Sequence, residues 1–151
     1  MRITEHIDIN ASPDDVWAVI SDPSTHTAWR PALVEFRPLD GEPLAVGSRI
    51  REVLRFGRRE IELEDVVTVL EPPRRLGING SWKAASFEAE LVLAPTEGGT
   101  HVTFDWTFEP KSVLARVGAP FLKGSMARST EDELDGLKTY VENKSRVAAG
   151  A

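Results

Sequence analysis

The chain has 151 residues, a length typical of a single domain, with 41% hydrophobic and 28% charged residues. Its formal net charge is −6 and both signs are interspersed, which argues against a nucleic-acid-binding surface. Because the chain has no cysteine, disulfides, cysteine metal sites and cysteine nucleophiles are excluded. We therefore expect one globular domain over residues 1–151.

The N-terminal residues argue against an export signal. Arg2, Glu5, His6 and Asp8 interrupt any apolar run there. Elsewhere, no apolar run approaches the ~20 residues that a membrane-spanning helix needs. We expect a cytoplasmic protein without stable membrane insertion, and the sequence leaves open whether it is a monomer or a homodimer.

The first elements are a strand and two short helices. Isoleucines alternate with polar residues over residues 2–10, which predicts a half-buried strand. Ser12 and Pro13 then give the cap and first-turn signals of a helix. Asp22 and Pro23 repeat these signals for a second helix that ends near residue 28, because the residue before Pro31 avoids the helical region.

Six further strands are predicted over residues 33–39, 48–56, 59–70, 74–82, 85–94 and 100–109. Between the second and third of these, Gly57 and Arg58 fit a two-residue type II′ turn with glycine first. This turn fixes the strand register so that the numbers of facing residues sum to 115. In that register Glu52 and Asp65 lie on the same, otherwise apolar, face as diagonal neighbours roughly 7–8 Å apart.

A long amphipathic helix is predicted over residues 122–143, about 32 Å in length. Its apolar stripe, at steps of three and four residues, comprises Leu122, Met126, Thr130, Leu134, Leu137 and Val141. Gly118 and Pro120 should separate it from residues 111–117, a segment that could serve as a cavity lid or as a plain connector. Residues 145–151 are expected to be a frayed tail.

This order of elements resembles that of the START/Bet v 1-like superfamily, and most closely its bacterial polyketide cyclase/dehydrase (SRPBCC) branch. The matching motifs lie at residues 11–17, 22–23, 29–31, 72–76, 98–103 and 134–138. The resemblance implies an α+β helix-grip fold, in which a seven-stranded curved antiparallel sheet surrounds the long C-terminal helix. It also implies a cavity for a hydrophobic, lipid- or polyketide-like molecule. Some members cyclise or dehydrate polyketides and many only bind, so the resemblance does not decide whether this chain is an enzyme.

Glu52 and Asp65 are the candidate catalytic residues. A carboxylate turned toward a core is costly unless it is paired or hydrated. Two such groups in one cavity can have pKa values pushed apart and act as acid and base in a cyclisation or dehydration. The alternative is structural, with both acids at a hydrated cavity mouth or in salt bridges to residues such as Arg51 or Arg30.

The expected ligand-binding residues are mainly aromatic and suit a flat apolar ligand, although an ordinary core position is the alternative for each. They are Trp29, Phe36, Leu54, Phe56, Trp82, Phe87, Trp106, Phe108, Leu122, Met126 and Thr130. Thr130 interrupts the helix stripe and could bond either a ligand oxygen or its own i−4 carbonyl.

The histidines at positions 6, 26 and 101 have no metal-ligand spacing and are expected at the surface. No metal and no cofactor is expected. A third interpretation of the chain, besides binding protein and enzyme, is a protein-interaction module without an open cavity.

Overall fold

Seven antiparallel strands form one sheet in the order β1-β7-β6-β5-β4-β3-β2 in the computed structural model, which describes residues 1–150. The strands are β1 (Arg2–Ile9), β2 (Leu33–Pro38), β3 (Arg49–Phe56), β4 (Arg59–Glu71), β5 (Arg75–Ser81), β6 (Ala85–Thr96) and β7 (Gly99–Pro110). The helices are α1 (Pro13–Ile20), α2 (His26–Trp29), preceded by a 3₁₀ turn (Pro23–Thr25), and α3 (Val113–Gly150). The predicted helix-grip architecture is confirmed.

Side-chain caps start the two short helical segments, as the sequence predicts. Ser12 Oγ accepts a hydrogen bond from the backbone N–H of Asp15 at 3.2 Å, at the N-terminus of α1. Asp22 Oδ1 accepts one from the backbone N–H of Ser24 at 3.0 Å and so begins the 3₁₀ turn. Each cap satisfies a donor that the helix itself leaves unpaired.

The predicted register of β3 and β4 is confirmed. Phe56 faces Arg59 and Glu52 faces Leu63 across the two strands. Gly57 in the turn has a φ of 62°, a region that favours glycine. Shifts of register within the β2–β3 and β4–β5 pairs bend the sheet, because a bulge increases local twist.

The C-terminal half of α3 packs against the sheet and against α1 and α2. Thr130, Leu134, Leu137 and Val141 from its predicted stripe are buried. Gly136 allows the closest approach, since a Cβ on it would lie 2.0 Å from the carbonyl oxygen of Trp29. The end of α2 therefore rests directly on the backbone of α3.

The sequence prediction was wrong about both ends of this helix. Residues 113–117 belong to α3, which runs through Pro120 without interruption, so they form neither a separate lid nor a connector. Ser112 begins the helix by accepting a hydrogen bond from the backbone N–H of Ala115 at 3.0 Å. Pro120 leaves a backbone carbonyl without its donor, and water can replace that donor because this half of the helix is exposed.

At the other end, the predicted tail from residue 145 is helical to Gly150, while Ala151 lies outside the described residues. Arg146 and the alanines at positions 148 and 149 are strong helix formers, and Arg146 also bonds the side chain of Asn143. No helix within residues 1–150 is long and apolar enough to cross a membrane.

Candidate functional site

A cavity of about 630 Å³ lies between the concave face of the sheet and the N-terminal half of α3. Its wall is mostly apolar and aromatic. Strands β3 to β7 contribute Leu54, Phe56, Ile61, Leu63, Ile78, Phe87, Ala89, Phe104 and Trp106, the β5–β6 turn contributes Trp82 and Ala84, and α3 contributes Leu122 and Met126. A volume of this size suits a drug-sized molecule.

The mouth of the cavity lies beside the β3–β4 and β5–β6 turns, where the exposed lining residues Arg59, Glu60 and Ala84 are found. Next to the mouth, α3 exposes other apolar side chains to solvent, on a different face from the stripe that packs on the sheet. Phe121 is 92% exposed and Val117 is 74% exposed, and neither side chain lines the cavity. The helix thus covers one side of the cavity without packing tightly at this end.

The inner end of the cavity, defined by Arg30, Glu52 and Glu133, carries a buried ion-pair network. Arg30 Nη2 donates to Glu52 Oε1 at 2.5 Å, and Arg30 Nε donates to Glu133 Oε1 at 3.2 Å. The three side chains come from the end of α2, from β3 and from α3, and all three line the cavity. Gly136 lies one turn beyond Glu133, so its close contact with Trp29 holds Arg30 beside that carboxylate.

The network keeps its guanidinium charged. Burial alone would lower the pKa of Arg30, but the charges of Glu133 and Glu52 raise it above its ordinary value. Burial likewise opposes ionisation of Glu52, yet the charge of Arg30 and their hydrogen bond hold the pKa of Glu52 below its ordinary value. For Glu133, burial outweighs the attraction of Arg30 and the pKa of this carboxyl group is raised.

Asp65 lies behind the cavity wall rather than on it. It is fully buried on β4, directly opposite Gly80 on β5. A Cβ on Gly80 would lie 2.2 Å from Asp65 Oδ1 and 2.3 Å from Phe87 Cζ, so the carboxyl group occupies the space that a side chain at position 80 would take. Phe87 lines the cavity, whereas Asp65 is not among the lining residues.

The environment of Asp65 favours its protonated form. Burial, and then the charge of Glu52, raise the pKa of Asp65 to about 9. As an ionised group it would have two oxygens without a hydrogen-bond donor. As a neutral acid it can donate its proton to Glu52, and this hydrogen bond contributes to the raised pKa. Two neighbouring acids therefore have pKa values shifted in opposite directions.

The expectation that all three histidines are at the surface was wrong for His26. It is the first residue of α2 and is buried, with its ring nitrogen Nε2 2.9 Å from the carbonyl oxygen of Ile20. Its ring stacks on Phe36 at a centroid distance of 4.1 Å. Burial lowers the pKa of His26 to about 4, so the ring is neutral at physiological pH. The 3₁₀ turn that Asp22 begins turns this side chain inward.

The structure brings most of the predicted ligand-binding residues to one cavity wall. Those that line it are Leu54, Phe56, Trp82, Phe87, Trp106, Leu122, Met126 and Thr130, together with Glu52. Trp29, Phe36 and Phe108 lie outside the lining, as does Asp65. Thr130 donates to its own i−4 carbonyl, that of Met126, at 2.8 Å and accepts from Trp106 Nε1 at 3.1 Å.

Sequence reasoning named Arg30 as a salt-bridge partner but missed Glu133. Arg51, the other named partner, instead pairs with Glu62 on the outer face. The signal for Glu133 was Gly136, a poor helix former inside a strong helical pattern, which marks a close contact one turn away. Within residues 1–150, no cluster of three or more acidic or histidine side chains is placed to hold a metal ion.

Comparison with solved structures supports the fold. The aromatase/cyclase Zhui from Streptomyces sp. R1128 superposes with a TM-score of 0.86 at 15% identity, over 100% of this chain and 99% of that chain. A protein from Thermus thermophilus gives 0.81 at 17% identity, over 96% and 99%. A Rhodobacter sphaeroides protein gives 0.75 at 24% identity, over 94% and 92%.

No curated protein matches the chain. The model of one protein family, described as polyketide cyclase / dehydrase and lipid transport, matches residues 1–142. This match covers every strand, both short helices and the packed part of α3. The chain therefore belongs to the polyketide cyclase / dehydrase and lipid transport family.

Proposed function

We propose that this protein binds a hydrophobic, lipid- or polyketide-like small molecule in the cavity between the sheet and α3. The observation that carries the proposal is an interior space of about 630 Å³ with a mostly aromatic and aliphatic wall. Leaving such a wall hydrated is unfavourable, and a ligand that displaces the water gains about 25 cal/mol per Å² of apolar surface buried. An interior too small for about 300 Å³ of ligand would favour the third interpretation, an interaction module, and the cavity of about 630 Å³ speaks against it.

Tryptophan fluorescence offers a direct binding assay, because two of the four tryptophans line the cavity. Titration with N-phenyl-1-naphthylamine, an uncharged apolar probe, should quench the fluorescence of Trp82 and Trp106. Replacing both by Phe should weaken the quenching but not remove it, because energy transfer to the probe also reaches Trp17 and Trp29. The matched control is Trp17→Phe, because Trp17 lies on α1 outside the cavity.

A variant that narrows the cavity tests whether the probe occupies it. Ala89 is buried on β6 and lines the cavity, so Ala89→Trp should weaken probe binding. Ala94→Trp makes the same change on the same strand at an exposed position, and it should leave binding intact. Equal binding by both variants would contradict the proposed site. Mass spectrometry of protein purified from its own host would then identify a co-purifying ligand.

A second candidate function is catalysis of a polyketide cyclisation or dehydration. The opposite pKa shifts of Glu52 and Asp65 favour it, because neighbouring acids with divergent pKa values can supply a base and an acid. In this scheme Glu52 would contact the substrate, and Asp65 would act through Glu52 from behind the wall. Glu52→Gln should then abolish turnover of a polyketide substrate while probe binding persists. Unchanged turnover in Glu52→Gln and in Asp65→Asn would rule the scheme out.

A further inference from the structure

We propose that the inner end of the cavity takes an uncharged group that donates a hydrogen bond, such as a phenol or an alcohol, and that it excludes a carboxylate. This inference rests on the proposed function, since it specifies the chemistry of the ligand's polar group. The observations that carry it are the arrangement of charges at Arg30, Glu52 and Glu133, and the hydrogen-bonding sites that these residues leave open.

The cation at the inner end is already matched by two anions. Arg30 bonds both Glu52 and Glu133, and the side chains of all three are at most 14% exposed. A ligand carboxylate at this end would be a third anion around a single guanidinium. Solvent screens these charges little, so the two resident carboxylates would repel it. The other cation that lines the cavity, Arg59, lies at the mouth.

The unused hydrogen-bonding capacity at this end consists of acceptors. A carboxylate offers about four lone-pair sites. The structure gives Glu133 one hydrogen bond, from Arg30 Nε to Oε1, and leaves Oε2 without a donor. Glu52 receives Arg30 Nη2 and lies within hydrogen-bonding reach of the Asp65 carboxyl group. Since Glu133 is the more open of the two carboxylates, a ligand O–H would donate to Glu133.

Two probes that share one ring system test this inference. Calorimetric titration at pH 7 should show 2-naphthol binding at least tenfold more tightly than 2-naphthoate. Glu133→Gln should narrow this ratio by strengthening naphthoate binding, because the amide removes one negative charge and supplies N–H donors. Glu131→Gln makes the same change at an exposed position of α3 outside the cavity, and it should leave the ratio unchanged.

The comparison of the two probes on the unmodified protein decides the question even if Glu133→Gln fails to fold. Naphthoate binding as tightly as naphthol, or more tightly, would overturn the inference while leaving the proposed binding function in place. If neither of these probes nor N-phenyl-1-naphthylamine bound, the proposed function would fail and this inference with it.

Discussion

Replacing Asp65 by Asn should stabilise the protein at neutral pH, because folding forces this carboxyl group to take up a proton. Its pKa rises from 3.8 to about 9 on burial. Between these values the folded state binds one more proton than the unfolded state, so stability falls as pH rises. Each pH unit costs about 1.4 kcal/mol, which amounts to about 4 kcal/mol at pH 7. An Asn side chain mimics the neutral acid and removes this cost.

Urea unfolding of both proteins at intervals from pH 4.5 to pH 9 measures the effect. The free-energy difference between Asp65→Asn and the unmodified protein should be small at the acidic end and widen steadily toward pH 9. Glu88→Gln, a substitution at an exposed position of β6, is the control, and its free energy of unfolding should change with pH in the same way as that of the unmodified protein. If the free energy of unfolding of Asp65→Asn also followed that of the unmodified protein at every pH, Asp65 would be ionised in the folded protein and its environment would not favour the protonated form.

Two further substitutions test how the inner end of the cavity is held together. Arg30→Met should destabilise the protein by about 3–5 kcal/mol, because it leaves Glu52 and Glu133 buried without a cation. Urea unfolding measures this loss of stability. Replacing both glutamates by Gln in the Arg30→Met variant should recover most of the lost free energy. If no stability is recovered, Arg30 acts through packing alone. Gly136→Ala should cost about 1–3 kcal/mol, since its Cβ would lie 2.0 Å from a backbone oxygen of α2. The control is Gly124→Ala on the same helix, where the added Cβ meets nothing within 4 Å, so this variant should stabilise the protein by up to about 1 kcal/mol. Equal effects of the two substitutions in thermal unfolding would refute the close contact between Gly136 and Trp29.

The sheet could be predicted from sequence because its signals are local. The Gly57 turn fixes the β3–β4 register, and alternation then assigns each side chain to a face. The same reasoning placed Glu52 and Asp65 on the concave face. It could not show that only Glu52 reaches the cavity. Asp65 stays behind Phe87 because Gly80, which lies two strands away from Glu52, has no side chain and leaves space for the Asp65 carboxyl group.

The inner end of the cavity was harder to predict because its residues meet through tertiary packing. Glu133 lies within the apolar stripe, three residues after Thr130 and four before Leu137, but the pattern does not show which cation pairs with it there. It becomes a cavity residue because Gly136 lets α2 approach and brings Arg30 with it. The burial of His26 was not predicted for a similar reason, because a short 3₁₀ turn, rather than a helix or strand with a regular period, sets the direction of its side chain.

Under the proposed function, the two halves of α3 contribute differently to ligand selection. The packed half holds Glu133 against Arg30. The half around Pro120 is exposed, so it restricts the size of a ligand at the cavity mouth only weakly. The inner end should therefore select the polar group of the ligand, whereas the mouth should admit ligands of different lengths. In a series of 4-alkylphenols measured by calorimetry, affinity should rise about fourfold per added methylene, as burial of each CH₂ contributes about 0.8 kcal/mol. This rise should continue until the cavity of about 630 Å³ is filled, after which further methylenes extend past the mouth and add little. An abrupt loss of binding at a short chain length would show instead that the mouth is rigid and selects by size.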